Sequence, residues 1–197
     1  MKTILAVIFF GILTFAFADY PKLKECKPPE AMKGLDSGKF LSGTWYVTNA
    51  KHGSNSTVCR EYKGKRENGI RVLNGDGYYS VGSQKVYFEV RCNKESDRNF
   101  KLTFSCTQSG SIQGNQVQFP FKLEVTVLST DYEDFGIMYR CAHLPTGIED
   151  NVLVLHRDAT KTDDKKSLIK ETLEKQNWTL DKFNSRKGVT CPEPPQK

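Results

Sequence analysis

The sequence predicts an all-β fold of about eight short antiparallel strands, arranged as a sandwich or an up-and-down barrel, with one α-helix after them. Three observations carry this. Aromatic and β-branched runs of strand length recur between clusters of Gly, Asn, Asp and Ser. Several runs alternate apolar and polar residues with period two, the mark of a strand with one buried and one wet face. Helical spacing is convincing only once, near the C-terminus.

Taken in order, Met1 to Ala18 comes first: Lys2, the apolar stretch Ile4 to Phe17 and the small-residue end Ala16-Phe17-Ala18 match a secretory signal peptide. Cleavage after Ala18 leaves 19–197 as a single domain starting at Asp19, with a formal charge of +5. After a Pro- and Lys-containing lead-in, Leu41 to Thr48 begins the first strand. Further strands are expected at Val58 to Tyr62, Tyr78 to Val81, Lys85 to Cys92, Phe100 to Thr107 and Val117 to Leu128. Turns are expected at Asn68-Gly69, Asn74 to Gly77, Asn93 to Asn99 and Ser109 to Asn115. Alternation is clearest in Val86, Phe88, Val90, in Phe100, Leu102, Phe104, and in Phe121, Leu123, Val125, Val127. Phe135 to Leu144 and Asn151 to Arg157 complete the sheet. The helix is expected from Thr162 or Asp163, with Asp163 and Asp164 at the positive end of its dipole and Leu168, Ile169, Thr172 and Leu173 as an apolar stripe.

The remaining features bound the chemistry. Six cysteines, Cys26, Cys59, Cys92, Cys106, Cys141 and Cys191, in an exported chain without a CxxC pair read as three disulfides, whose connectivity the count leaves open. Asn55-Ser56-Thr57 and Asn177-Trp178-Thr179 are candidate glycosylation sequons. Beyond the leader nothing approaches the roughly 18 to 20 apolar residues of a membrane span. His52, His143 and His156 lie on three segments, no hydrolase or metalloprotease motif is present, and the thiols are consumed in bridges, so neither an enzyme nor a metal site is expected. Scattered Lys and Arg residues argue against nucleic-acid binding. The densest basic stretch, Lys63, Lys65, Arg66 and Arg71, reads as a solvated hairpin or as a patch for an anionic partner. Asn74-Gly75-Asp76 is a turn. Monomer is the expected state, because no exposed apolar stripe is evident.

Gly43-Thr44-Trp45 on the first strand, Thr130-Asp131-Tyr132 before the seventh and Arg157 at the end of the eighth resemble, in order, the three lipocalin motifs. That resemblance implies a closed eight-stranded calycin barrel with Arg157 stacked on Trp45 at the closed end. The leader, Phe40 to Lys51, Val58 to Tyr62 and Ile137 to Cys141 are similar to the triabin group of triatomine salivary lipocalins, over nearly the whole chain. The group implies the bridges Cys26–Cys141 and Cys59–Cys191, with Cys92–Cys106 remaining. Related nitrophorins hold haem through a histidine on an early strand; Asn74 to Tyr79 offers none, so no cofactor is expected and Tyr78 and Tyr79 are read as packing.

The group further implies a secreted salivary protein that impairs haemostasis by binding, through loops at the open barrel end or by sequestering an agonist. The leading expectation is inhibition of collagen-induced platelet aggregation, as in pallidipin-like members. Alternatives are triafestin-like block of kallikrein–kinin activation through factor XII and kininogen, scavenging of a small agonist (thromboxane, leukotriene, ADP or a biogenic amine), and thrombin exosite binding, which the basic charge disfavours. Tyr87, Phe88, Phe104, Phe119, Phe121 and Tyr139 either line a ligand cavity or fill it.

Overall fold

The computed structural model describes residues 20–21, 23–81, 84–162 and 167–195; the expected signal peptide and the Asp163-Asp164 pair lie outside them. Ten strands form one antiparallel sheet: β1 (Gly43–Ala50), β2 (Glu61–Glu67), β3 (Ile70–Asn74), β4 (Gly77–Val81), β5 (Gln84–Arg98), β6 (Lys101–Ile112), β7 (Asn115–Thr130), β8 (Phe135–Leu144), β9 (Gly147–His156) and β10 (Asn184–Ser185). β3 and β4 both pair with β5, so they act as one strand interrupted at Gly75-Asp76. The barrel therefore has eight staves. It closes where Tyr46 and Val47 of β1 pair with His156 and Leu155 of β9 while Tyr46 also pairs with Glu61 of β2.

The structure departs from the expected boundaries in several places: β3 is not among the expected strands, and β9 begins at Gly147 instead of Asn151. Val58 to Tyr62 is divided: Asn55–Val58 is a one-turn helix, here α2, and β2 begins only at Glu61. The short helix follows from Thr57, whose hydroxyl accepts the Ser54 amide and ties the turn together. Polar Asn93 to Arg98 and Ser109 to Ile112, expected as turns, continue as strand, because each backbone finds its ladder partner in the long β5–β6 and β6–β7 pairs. The true turns there are short, at Asn99-Phe100 and Gln113-Gly114, with Asn99, Phe100 and Gln113 in the left-handed region. A further turn of helix, α1 (Ser37–Phe40), precedes β1, and its amide at Lys39 is capped by the Asp36 carboxylate.

Alternation sorts the side chains into two layers. Inward residues Trp45, Val47, Leu102, Phe104, Leu123, Val125, Met138, Leu153 and Leu155 make the barrel core. Outward residues Phe135, Ile137, Tyr139, Val152 and Val154 of β8 and β9 are covered by Ile169 and Leu173 of α3 (Ser167–Glu174). Leu168, expected in that stripe, points to water and is 46% exposed. Tyr139 and Tyr87 thus leave the list of interior aromatics; Tyr87 packs edge-on against Tyr78 on the outer surface.

Three disulfides are present: Cys26–Cys141, Cys59–Cys191 and Cys92–Cys106. The last joins directly opposed residues of β5 and β6, with both sulfurs in the core. Its loop is short, so the entropic stabilisation is about 3 kcal/mol. The double variant Cys92→Ala/Cys106→Ala should fold with the two long bridges intact and lose about 3 kcal/mol or more in urea unfolding, since two small cavities add to the lost constraint. A loss below about 1 kcal/mol would contradict this account.

Candidate functional site

The closed end is built around Trp45. Its indole donates to the Phe40 carbonyl at 2.8 Å and lies against the Phe40 ring. The Arg157 guanidinium covers its other face, 3.4 Å from the ring centroid, and donates to the carbonyls of Ser42, Thr44 and Tyr132. Gly43, at φ +71°, leaves room for that guanidinium: a Cβ would stand 3.3 Å from its Nη1. In the β7–β8 turn, Asp131 accepts the amides of Glu133, Asp134 and Phe135, while the Thr130 hydroxyl donates to the Phe135 carbonyl. Tyr132 takes the left-handed position and its hydroxyl accepts the Asp36 amide. All six motif residues therefore meet at this end, where they close and brace the barrel.

The basic stretch belongs to the same end. Lys63, Lys65 and Arg66 lie on β2 and Arg71 on β3, flanking the Asn68-Gly69 turn. Lys63 and Lys65 are ion-paired with Glu61 and Glu67. Arg71 reaches back to the Leu41 carbonyl, and Arg66 donates to Gly69 within its own hairpin. Ile70 beside this turn and Phe100 in the β5–β6 turn are 49% and 40% exposed, and Phe100 carries a bulky side chain at φ +59°. A bulky residue held there stores about 1–3 kcal/mol of backbone strain.

The open end differs. Inward positions of β8 and β9 hold Arg140, Glu149 and Asn151, and Arg60, just before β2, is buried within electrostatic reach of Arg140. Arg60 and Arg140 are only 4% and 7% exposed. Arg60 lies 3.9 Å over the Tyr79 ring, and Arg140 approaches Glu149 at 3.5 Å. The Tyr20 hydroxyl, from the N-terminal segment, stands among Thr57 Oγ1 at 3.3 Å, Arg140 Nη2 at 3.4 Å and Asn151 Nδ2 at 3.4 Å. Burial raises the Tyr20 phenol, but the Arg60 and Arg140 charges outweigh it and hold the group below its ordinary value. Burial instead pushes Tyr79 up to about 12. Val86, Phe88 and Val117, with Ile112 and Phe119, close the other half of the mouth. Side chains thus occupy the upper barrel as well as the core.

Other features lie apart. His156 is buried against Thr48, His52 borders Asn151, and His143 sits 3.2 Å from Cys26 Sγ and 3.3 Å from Glu124. Among the described residues the one group of three potential metal ligands within reach is Cys26, Cys141 and His143, and both its sulfurs are in a disulfide. Asn55 and Asn177 are exposed. A groove of about 420 Å³ runs on the outer face between Leu23 to Lys27, Tyr139, Asp150 and Trp178, with Lys51 over the indole. Sequence reasoning missed both this groove and the Arg60–Arg140 pair, since each is assembled from distant segments.

A closed antiparallel barrel of eight staves with Trp45 under Arg157 makes the chain a lipocalin. It belongs to the Triabin family, whose model matches residues 17–169. Over 205 residues it is 47% identical to Triafestin-2 and 48% to Triafestin-1 of Triatoma infestans, covering 100% of this chain and 97% of each relative. Pallidipin of Meccus pallidipennis is 31% identical, covering 97% of this chain and 98% of the relative. Among solved structures, a biogenic amine-binding protein superposes with TM-score 0.67 at 19% identity, covering 86% of this chain and 91% of that one. LTBP1 in complex with LTC4 gives 0.59 at 20% identity, covering 88% and 99%.

The raised Tyr79 value sets a pH dependence. Its folded pKa lies above the unfolded value of 10, so this stabilisation is complete below pH 10 and disappears as pH climbs through about 12. Urea midpoints measured across that window should fall for the native protein and fall less steeply for Tyr79→Phe. Equal slopes would show that Tyr79 is not the group responsible.

Proposed function

We propose that the protein is a secreted inhibitor of host haemostasis that docks on contact-phase proteins, factor XII and kininogen, and thereby blocks kallikrein–kinin activation. The observation that carries the choice of target is the identity of 47% and 48% to two triafestins along the whole chain, against 31% to pallidipin. On that ground the triafestin-like reading moves ahead of collagen-pathway platelet inhibition, which stands second. The leader Met1 to Ala18 supports export, into saliva in this reading, and no helix among the described residues is long and apolar enough to cross a membrane. The exposed Asn55 and Asn177 are accessible to glycans. The protein acts as a monomer, by binding and without chemistry on its target.

The packed interior favours docking through the outer surface over capture of a bulky agonist. We place the docking surface at the closed end, opposite to the open-end loops expected from the sequence. Arg66, Ile70 and Phe100 project there from two hairpin turns, and an exposed cation beside exposed apolar groups suits an acidic, partly apolar partner. Structurally, the Trp45–Arg157 plug gives those turns a rigid base.

Added to plasma, the purified protein should prolong contact-activated clotting and leave collagen-induced platelet aggregation unchanged. The combined variant Arg66→Glu/Ile70→Ser should retain its fold and lose roughly tenfold or more in potency, as an interface core residue and a steering charge are removed together. Raised salt should weaken the inhibition through screening. A normal clotting time with a lost collagen response would replace this reading with the pallidipin-like one.

A further inference from the structure

We propose that the Arg60–Arg140 pair at the barrel mouth is a binding subsite for a compact oxyanion, a carboxylate or phosphate group, and that the Tyr20 phenol is the internal occupant that such an anion replaces. The first argument is charge. Two guanidiniums, which stay protonated in proteins, are buried with one carboxylate, Glu149, and that carboxylate stands 3.5 Å from Arg140. An uncompensated buried cation is costly, and a bound anion removes the imbalance.

The second argument is unmet hydrogen bonding. Among the described residues four buried polar atoms have no hydrogen-bond partner: the donors Arg60 Nε and Arg140 Nε, and the acceptors Glu149 Oε2 and Asn49 Oδ1. Buried N–H groups of this kind are normally satisfied, and the flat guanidinium fork matches a carboxylate or phosphate edge. The third is convergence. Arg140 Nη2, Asn151 Nδ2 and Thr57 Oγ1 surround one oxygen, the Tyr20 hydroxyl, at 3.3–3.4 Å. Those contacts are long for a neutral phenol and would shorten on an anionic oxygen.

Tyr20 is able to leave. Among the described residues the backbone tie of the N-terminal segment, the Leu23 amide on the Ile148 carbonyl, and its Cys26–Cys141 bridge both lie C-terminal to Tyr20, so displacing the phenol breaks neither. The ligand must be small. On the closed-end side of Arg140 the inward positions are taken by core residues such as Met138 and Leu153, which favours a short anion over one with a long apolar tail.

Titration calorimetry with inorganic phosphate, acetate and decanoate at constant ionic strength tests this on the native protein and on Tyr20→Ala. Phosphate or acetate should bind Tyr20→Ala at least tenfold more tightly than the native protein. Arg60→Gln or Arg140→Gln in the Tyr20→Ala background should abolish that binding, with circular dichroism reporting the fold. If neither arginine variant folds, failure of chloride to displace phosphate from Tyr20→Ala supports the site and equal displacement overturns it. Absence of phosphate and acetate binding to Tyr20→Ala, or binding that persists in a folded arginine variant, overturns the proposal. Decanoate binding more than a hundredfold tighter than acetate overturns the compact-anion assignment in favour of a lipid chain.

Discussion

Closure of the sheet on β1 is the constraint from which the rest follows. This strand is hydrogen-bonded to β2 on one side and to β9 on the other, and its last residues also take β10. A closed sheet has no free edge to pair with another chain, and every inward residue must share one limited interior. Trp45 plugs the end where β1 begins, and Arg157, arriving on the chain just after β9, locks the plug by bonding carbonyls on both sides of it. Single elements do not create this arrangement; it needs the first strand and the last in place together.

Closure also explains why the two ends differ. Near the plug the inward positions are large and apolar, and they make the barrel core. Towards the mouth the inward positions of β8 and β9 become Arg140, Glu149 and Asn151, and the same geometry that buries leucines elsewhere buries Arg140 and Asn151 and largely covers Glu149. Polar groups confined in this way must satisfy one another. Tyr20, Thr57 and Asn151 meet part of the demand, and among the described residues the Nε atoms of the two arginines, Glu149 Oε2 and Asn49 Oδ1 are left without a partner. The hairpin turns at the closed end carry the opposite character, with Ile70 and Phe100 in water above a rigid base.

Much of this was legible in the sequence where one signal was strong. β8 was read at both ends, as an apolar run that follows the Thr130-Asp131-Tyr132 motif. β5 and β6 were read too short, because Asn93 to Arg98 and Ser109 to Ile112 are polar enough to look like turns yet extend a ladder that their neighbours have already fixed. Val58 looked like a strand residue, but its place is in a turn of helix held by Thr57. The motif residues Gly43, Trp45, Thr130, Asp131, Tyr132 and Arg157 carry recognisable spacing, and the structure gathers them at one end. The disulfide pairing came from family resemblance, as six cysteines do not dictate it. Arg60 and Arg140 were invisible as a pair: a lone arginine in an alternating run reads as an outward charge, and only the closed barrel shows that both face in.

The central claim is that the molecule meets its target with the outside of its closed end. Amide hydrogen exchange of the protein alone and bound to kininogen tests it most directly. The account predicts new protection confined to the two hairpins at residues 65–71 and 97–101, with the mouth unchanged. Protection at residues 20–27, 55–60 and 145–151 with exposed closed-end hairpins would contradict it and put the binding surface at the open end.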